Sequence, residues 1–129
     1  METSDIMLWT GRVLTALFAL FMLGASIFPK LTGMAVAEET LAALGWPTGY
    51  ALMIGIIELA CVVLYLVPST SLLGAVLMTG LLGGAMATQI RAGSPLFSHI
   101  LFGLYLGAFM WGGLWLRLPA VRAVLPFLR

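Results

Sequence analysis

Charge is what this sequence has least of. Its 129 residues include six basic and five acidic side chains, 9% of the chain, together with one histidine and one cysteine. Soluble domains carry roughly a quarter charged residues, so an ordinary aqueous enzyme is excluded. A disordered chain is excluded too, because disorder goes with low hydrophobicity and high net charge. With a net charge of +1 there is no basic surface for nucleic acid, whose binding rests on many Lys and Arg contacts to phosphate. Cys61 alone forms no intrachain disulfide, which removes paired-cysteine relay chemistry. His99 alone excludes a heme held by two histidines of one chain, and no His and carboxylate spacing suggests zinc. Neither heme nor metal is therefore expected. The 15 glycines include no phosphate loop placed after a strand, so they carry no nucleotide fingerprint.

What is present is apolar. Hydrophobic residues make up 62% of the chain and the mean hydropathy is +1.13, so the natural solvent is lipid. A spanning helix needs about 20 mostly apolar residues, and four such runs stand between polar or Pro/Gly breaks: 8–28, 50–67, 72–90 and 96–116. The period-two alternation of a membrane barrel is absent. The first run follows Glu2 and Asp5 instead of the positive segment of a secretory signal, and is read as a retained helix.

Near the span ends, Arg12, Arg117, Arg122 and Arg129 fall on one side and Lys30 and Arg91 on the other. The positive-inside rule then puts both termini in the cytoplasm, and the expected location is a bacterial cytoplasmic (inner) membrane. Trp9, Trp46, Trp111 and Trp115 fall near the expected interfaces, where indole rings are enriched. The expected fold is all-α, a single four-helix transmembrane bundle over 1–129. Between the first two spans, 29–48 is the one long loop. Met34, Ala37, Leu41 and Leu44 recur there at helical spacing, with Glu38, Glu39 and Thr40 opposite and Gly45 as a stop. It reads as a short interfacial helix, either a connector that keeps the bundle mouth dry or a lid over a site.

Lipid gives helices no hydrophobic reason to associate, so small and polar stripes mark the inward faces. The expected stripes are Arg12, Thr15, Ala19, Met22, Ser26 and Lys30 on the first span, and Ala51, Gly55, Glu58, Val62 and Tyr65 on the second. Gly80, Gly84 and Thr88 mark the third, and His99, Gly103 and Gly107 the fourth. Glu58 is the most telling residue, near the middle of its span. Ten Leu, Ile and Val neighbours contribute roughly −3 to −6 kcal/mol of insertion against about +2.5 to +3.5 for a central acid. The helix inserts regardless, and the carboxyl is held there at a cost. An intramembrane carboxyl is by default a functional hypothesis whose partner has to be named. Lys30, Arg12, Arg91 and His99 are the candidates; Lys30 comes first, since its flexible stem can reach down from the interface. The other reading of this cluster is a satisfied polar knot that fixes helix register. Cys61, three residues after Glu58, reads as a small core residue.

Taken in order, several short runs resemble the DoxX-like family. They are Leu44-Gly45-Trp46-Pro47, Gly55-Ile56-Ile57-Glu58-Leu59-Ala60, Leu64-Tyr65-Leu66-Val67-Pro68, Leu73-Gly74-Ala75, Gly83-Gly84-Ala85, Arg91-Ala92-Gly93 and Phe97-Ser98-His99. The resemblance runs from Gly11 to Pro126. It implies a four-helix integral membrane protein with Lys30, Glu58, Arg91 and His99 where the family favours the same residues. Gln89 stands where many relatives have His before the Leu/Ile-Arg pair.

Two functions follow as expectations. One is a quinone- or lipid-binding membrane subunit of an oxidoreductase system, with Glu58, Lys30, Arg91, His99 and Gln89 around the ligand. Because the chain encodes no electron carrier, an oxidoreductase partner subunit would supply or receive electrons. The other is a non-catalytic membrane scaffold or assembly factor whose polar residues only hold the bundle together. The glycine stripes also leave room for a homo-oligomer. A transporter fits less well, since four short helices give little room for the paired repeats and broken spans of alternating access.

Overall fold

The computed structural model describes residues 2–125; Arg129, used above for orientation, and Pro126, the end of the resemblance, lie outside them. Six helices follow one another: α1 (Thr3–Leu31), α2 (Ala35–Ala43), α3 (Ala51–Leu66), α4 (Ser71–Arg91), α5 (Leu96–Arg117) and α6 (Pro119–Val124). Among the described residues there is no strand. By length and composition α1, α5 and the stretch Pro68–Arg91 that contains α4 can cross a membrane, while α3 is a shorter apolar helix.

The first helix is longer than the 8–28 expected for the first span, and its far end passes through Pro29. A proline inside a helix lacks the N–H of the i→i−4 bond, and its ring collides with the carbonyl four residues back. Here the backbone widens into a π-helical turn over Met22–Ile27, and the Phe28 N–H reaches Leu23 O, five residues back. Widening displaces the carbonyl that Pro29 would strike, so α1 continues to Leu31. A second wide turn opens α5, where the Ile100 N–H donates to Pro95 O at 3.1 Å and the Leu101 N–H to Leu96 O at 2.9 Å. Elsewhere the chain stops where turn chemistry predicts. Gly45 after α2 and Gly93 after α4 have φ of 90° and 72°, the left-handed conformation that glycine adopts without penalty.

Helix α1 packs antiparallel on α5 at one end and on α3 at the other. Thr15 faces Gly113 so closely that a Cβ on the glycine would lie 2.6 Å from Thr15 Oγ1. Lys30 and Leu31 cover Gly55. The turn joining α3 to α4 closes through Gly74, where a Cβ would collide with the Tyr65 backbone. Between these contacts sits the core of Phe18, Val62, Tyr65, Met78, Met110 and Leu114, all fully buried. The Tyr65 hydroxyl donates to Met110 O at 2.6 Å and lies 3.3 Å from Thr15 Oγ1, and its ring meets Phe18 edge-on at 5.5 Å between centroids. Large apolar side chains point outward along the long helices, among them Leu17, Leu20, Ile56, Val63, Val76 and Leu104. Such broad apolar exposure marks a surface made for lipid.

The stripes proved unequal guides to packing. On α3 every expected member, Ala51, Gly55, Glu58, Val62 and Tyr65, is buried. On α1, Thr15, Ala19 and Met22 are buried and Ser26 and Lys30 half-buried, but Arg12 is exposed and stacks on the Trp9 ring at 4.8 Å. Gly11 and Phe18 are inward instead. On α4 the close approach is made by Gly74, whereas Gly80 and Gly84 have open space beside them. That space is the cavity described next.

Candidate functional site

Three side chains form a closed knot where the end of α1 meets the middle of α3. Lys30 Nζ donates to Glu58 Oε1 at 3.0 Å and to Ser26 Oγ at 2.7 Å, and Ser26 Oγ donates to Glu58 Oε2 at 2.8 Å. The Lys30 side chain is 16% exposed and that of Glu58 9%. Local sequence explains the geometry. Ser26 and Lys30 are four residues apart and so share a helix face, and the wide turn at Met22–Ile27 sets the register that presents both to α3. Gly55, one turn before Glu58, has no side chain, which lets the Lys30 stem lie against α3. Lys30–Glu58 is the pair expected from the sequence, and among the described residues it is the one ion pair. Ser26, on the expected inward stripe, is the bridge, a role its spacing from Lys30 signals but its presence on a stripe alone does not.

The knot lies on the wall of a cavity of about 710 Å³. Phe21, Met22, Ala25 and Pro29 of α1 form one side, and Ile54 and Glu58 belong to α3. Gly80, Leu81, Gly84, Ala85, Thr88 and Gln89 line it from α4, and His99, Phe102, Gly103 and Leu106 from α5. Val36, Ala37, Thr40, Leu41, Leu44 and Trp46 come from α2 and the loop after it. Ala37 and Leu41 are buried in a small cluster with Ala51, which ties α2 to the start of α3. Met34, expected on the same face, is exposed. Missing side chains at Gly80 and Gly84 leave the volume open, and Gly103, covered by Met86, closes it toward α5.

Four of the five expected site residues, Glu58, Lys30, His99 and Gln89, therefore face one cavity. The fifth does not. Arg91 ends α4 and its exposed side chain lies on a neighbouring pocket of about 250 Å³ with Leu44, Gly45, Trp46, Pro47 and Thr88. The reason is helical phase: Arg91 is two residues past Gln89, about 200° around the helix. His99 is exposed rather than buried, and its Nδ1 is 2.7 Å from Ser98 Oγ. Gln89 is the least satisfied of the set, since its Oε1 is buried with no hydrogen-bond partner. Ser26 and His99 both sit in the wide turns of their helices, a distortion frequent at functional sites.

Chemically, the chamber has a mostly apolar wall that carries Ser26, Lys30, Glu58, Thr88, Gln89 and His99 among its lining. Its volume falls within the ~300–1,000 Å³ typical of ligand pockets. Among the described residues no three His, Cys, Asp or Glu side chains converge to hold a metal ion. Cys61, three residues from Glu58, is buried in the hydrophobic core. At the opposite end of the bundle Arg117 is less exposed than an interfacial arginine would be. Its guanidinium carbon lies 5.3 Å from the centre of the Tyr65 ring, and its Nε and one terminal nitrogen are buried without hydrogen-bond partners.

The sequence model of the DoxX-like family matches residues 13–113. The chain belongs to that family. No match was found among curated proteins or among solved structures. The matched region of this DoxX-like protein includes Lys30, Glu58, Gln89, Arg91 and His99, and it takes in the whole knot. Family membership together with the apolar helices makes the chain a membrane protein.

Proposed function

We propose that this DoxX-like protein is a quinone- or lipid-binding membrane subunit of an oxidoreductase system. One observation carries the reading: an apolar cavity of about 710 Å³ with Lys30, Glu58, His99 and Gln89 on its wall. A ligand with a small polar head and an apolar tail suits such a chamber, because the few polar groups orient the head while the walls shed water. His99, on the same wall, can donate or accept a hydrogen bond to a bound head. Electrons come from or go to a partner subunit, since the chain has no carrier of its own.

The same reading takes all four long helices as spans, with both termini in the cytoplasm. At ~1.5 Å per residue the 16 residues of α3 reach about 24 Å, short of the ~30 Å hydrocarbon core. Apolar flanking residues and local thinning of the bilayer make up the difference. Arg12, Arg117 and Arg122 at one end of the bundle outnumber Lys30 and Arg91 at the other, which supports the orientation.

Purified protein titrated with a short-chain quinone tests the ligand. The expected result is a saturable rise in melting temperature above that of the ligand-free protein, and a smaller rise in Glu58→Gln measured from that variant's own, lower, ligand-free melting temperature. Unchanged binding in that variant, or none in the parent, sinks the site. A second reading, the scaffold or assembly factor, draws on the knot itself, in which Lys30, Ser26 and Glu58 already satisfy one another. It predicts a stoichiometric partner after mild extraction from native membranes and no response to quinone or lipid.

A further inference from the structure

The two pockets share a wall. Leu44, Trp46 and Thr88 line both the large cavity and the smaller one that holds Arg91. A ligand passing Trp46 would therefore meet Arg91 at one end and the apolar chamber at the other. Arg91 is exposed, ends α4, and among the described residues has neither an ion-pair nor a hydrogen-bond partner. Lys30, the other cation at this end of the bundle, is committed to Glu58 and Ser26. The acids of α2 stay off both pockets: Glu38 Oε2 accepts from the Gly49 N–H at 3.2 Å, and Glu39 is exposed and lines neither.

Resting on the reading of the large cavity as an amphiphile site, we propose that Arg91 binds the anionic head of a lipid whose chain runs past Trp46 into the large cavity. A guanidinium is a planar fork of five donors that grips phosphate or carboxylate through two parallel hydrogen bonds, and it gives up its water more readily than an ammonium. Trp46 sits beside it, as indole rings do at headgroup level. A neutral head leaves Arg91 with water alone, so the pair of pockets selects for charge at the outer position and for an apolar chain within. The head's chemistry is that of a phosphate or carboxylate monoanion or dianion; free phosphate shares it but lacks the chain.

The test uses the full chain in neutral detergent, with dodecyl phosphate, dodecanol and inorganic phosphate as probes and thermal stability as the readout. Dodecyl phosphate is expected to act at a concentration about tenfold lower than dodecanol, the size of one charge-assisted hydrogen-bonded contact. Arg91→Gln should bring the two midpoints together while leaving the dodecanol response unchanged, and Arg91→Lys should keep part of the preference. Because Arg91 is exposed and unpaired, neither variant should alter stability without ligand. Equal response of the wild type to dodecyl phosphate and dodecanol overturns the Arg91 role while leaving the cavity reading intact. Inorganic phosphate acting as strongly as its dodecyl ester overturns the two-pocket ligand. Failure of both chain-bearing probes overturns the cavity reading as well.

Discussion

Lys30 Nζ lies 3.0 Å from Glu58 Oε1, joining the last turn of α1 to the middle of α3 across 28 residues of sequence. Ser26 completes the contact from below, so each charge has a second partner. This pair fixes the register of α1 against α3 and places two charged groups on the cavity wall at the same time. Removing one partner from a buried ion pair leaves a charge uncompensated, whereas removing both is often neutral.

Lys30→Met and Glu58→Leu, taken singly, are therefore expected to cost about 3–5 kcal/mol each. The double variant should be more stable than either single one. Denaturation of all four proteins in one detergent measures the cycle. Additive losses would mean that the two side chains stabilise the fold independently, contrary to the geometry.

Gly74 and Gly113 are expected to tolerate no side chain. A Cβ at Gly74 collides with the Tyr65 backbone, and one at Gly113 approaches Gly11 O and the Thr15 backbone as well as its hydroxyl. Backbone cannot step aside as a flexible side chain does, so Gly74→Ala should lose about 1–3 kcal/mol or more, the range for overpacking. Gly80→Ala, with open space around it, should be neutral or gain up to about 1 kcal/mol from helix propensity. Melting temperatures of the two variants side by side check the contrast.

Gln89→Leu should leave the empty protein as stable as before or raise it by about 1 kcal/mol, because the variant deletes a buried oxygen that has no donor. A loss of comparable size would show that the oxygen has a partner. Thermal denaturation without added ligand is the measurement.

Much of the architecture was readable because a membrane solvent makes few residues matter. On α3 the stripe picked out every buried residue but Cys61, and the cost of a central carboxyl pointed to Glu58 and its need for Lys30. Phase was legible on α3 and along most of α1, where Thr15, Ala19, Met22, Ser26 and Lys30 turn inward as their spacing predicts; on α4 it was not. The wide turn that carries α1 through Pro29 cannot be read from spacing alone, and the helix runs to Leu31, past the end at 28 expected for the apolar run. Gly80 and Gly84 looked like a packing stripe. A sequence does not distinguish a glycine that admits a neighbouring helix from one that leaves a chamber open, since both lack the same atom. Arg91 was grouped with Glu58 by depth, and two residues of helical rotation put it on the next pocket. For Arg12, stacking on Trp9 at the surface replaced the inward role that its spacing suggested.

If the cavity between α1, α4 and α5 is a ligand chamber, filling it abolishes binding. Gly84 lines the cavity, and a Cβ there meets nothing within 4 Å, so Gly84→Leu can occupy the space without disturbing the knot. Binding of a short-chain quinone and of dodecanol should be measured on the wild type and on this variant by thermal shift in one detergent. Saturable binding of at least one probe by the wild type, and its loss in a Gly84→Leu protein of undiminished stability, is the expected outcome. Equal binding by the two proteins, or none by the wild type, would contradict it.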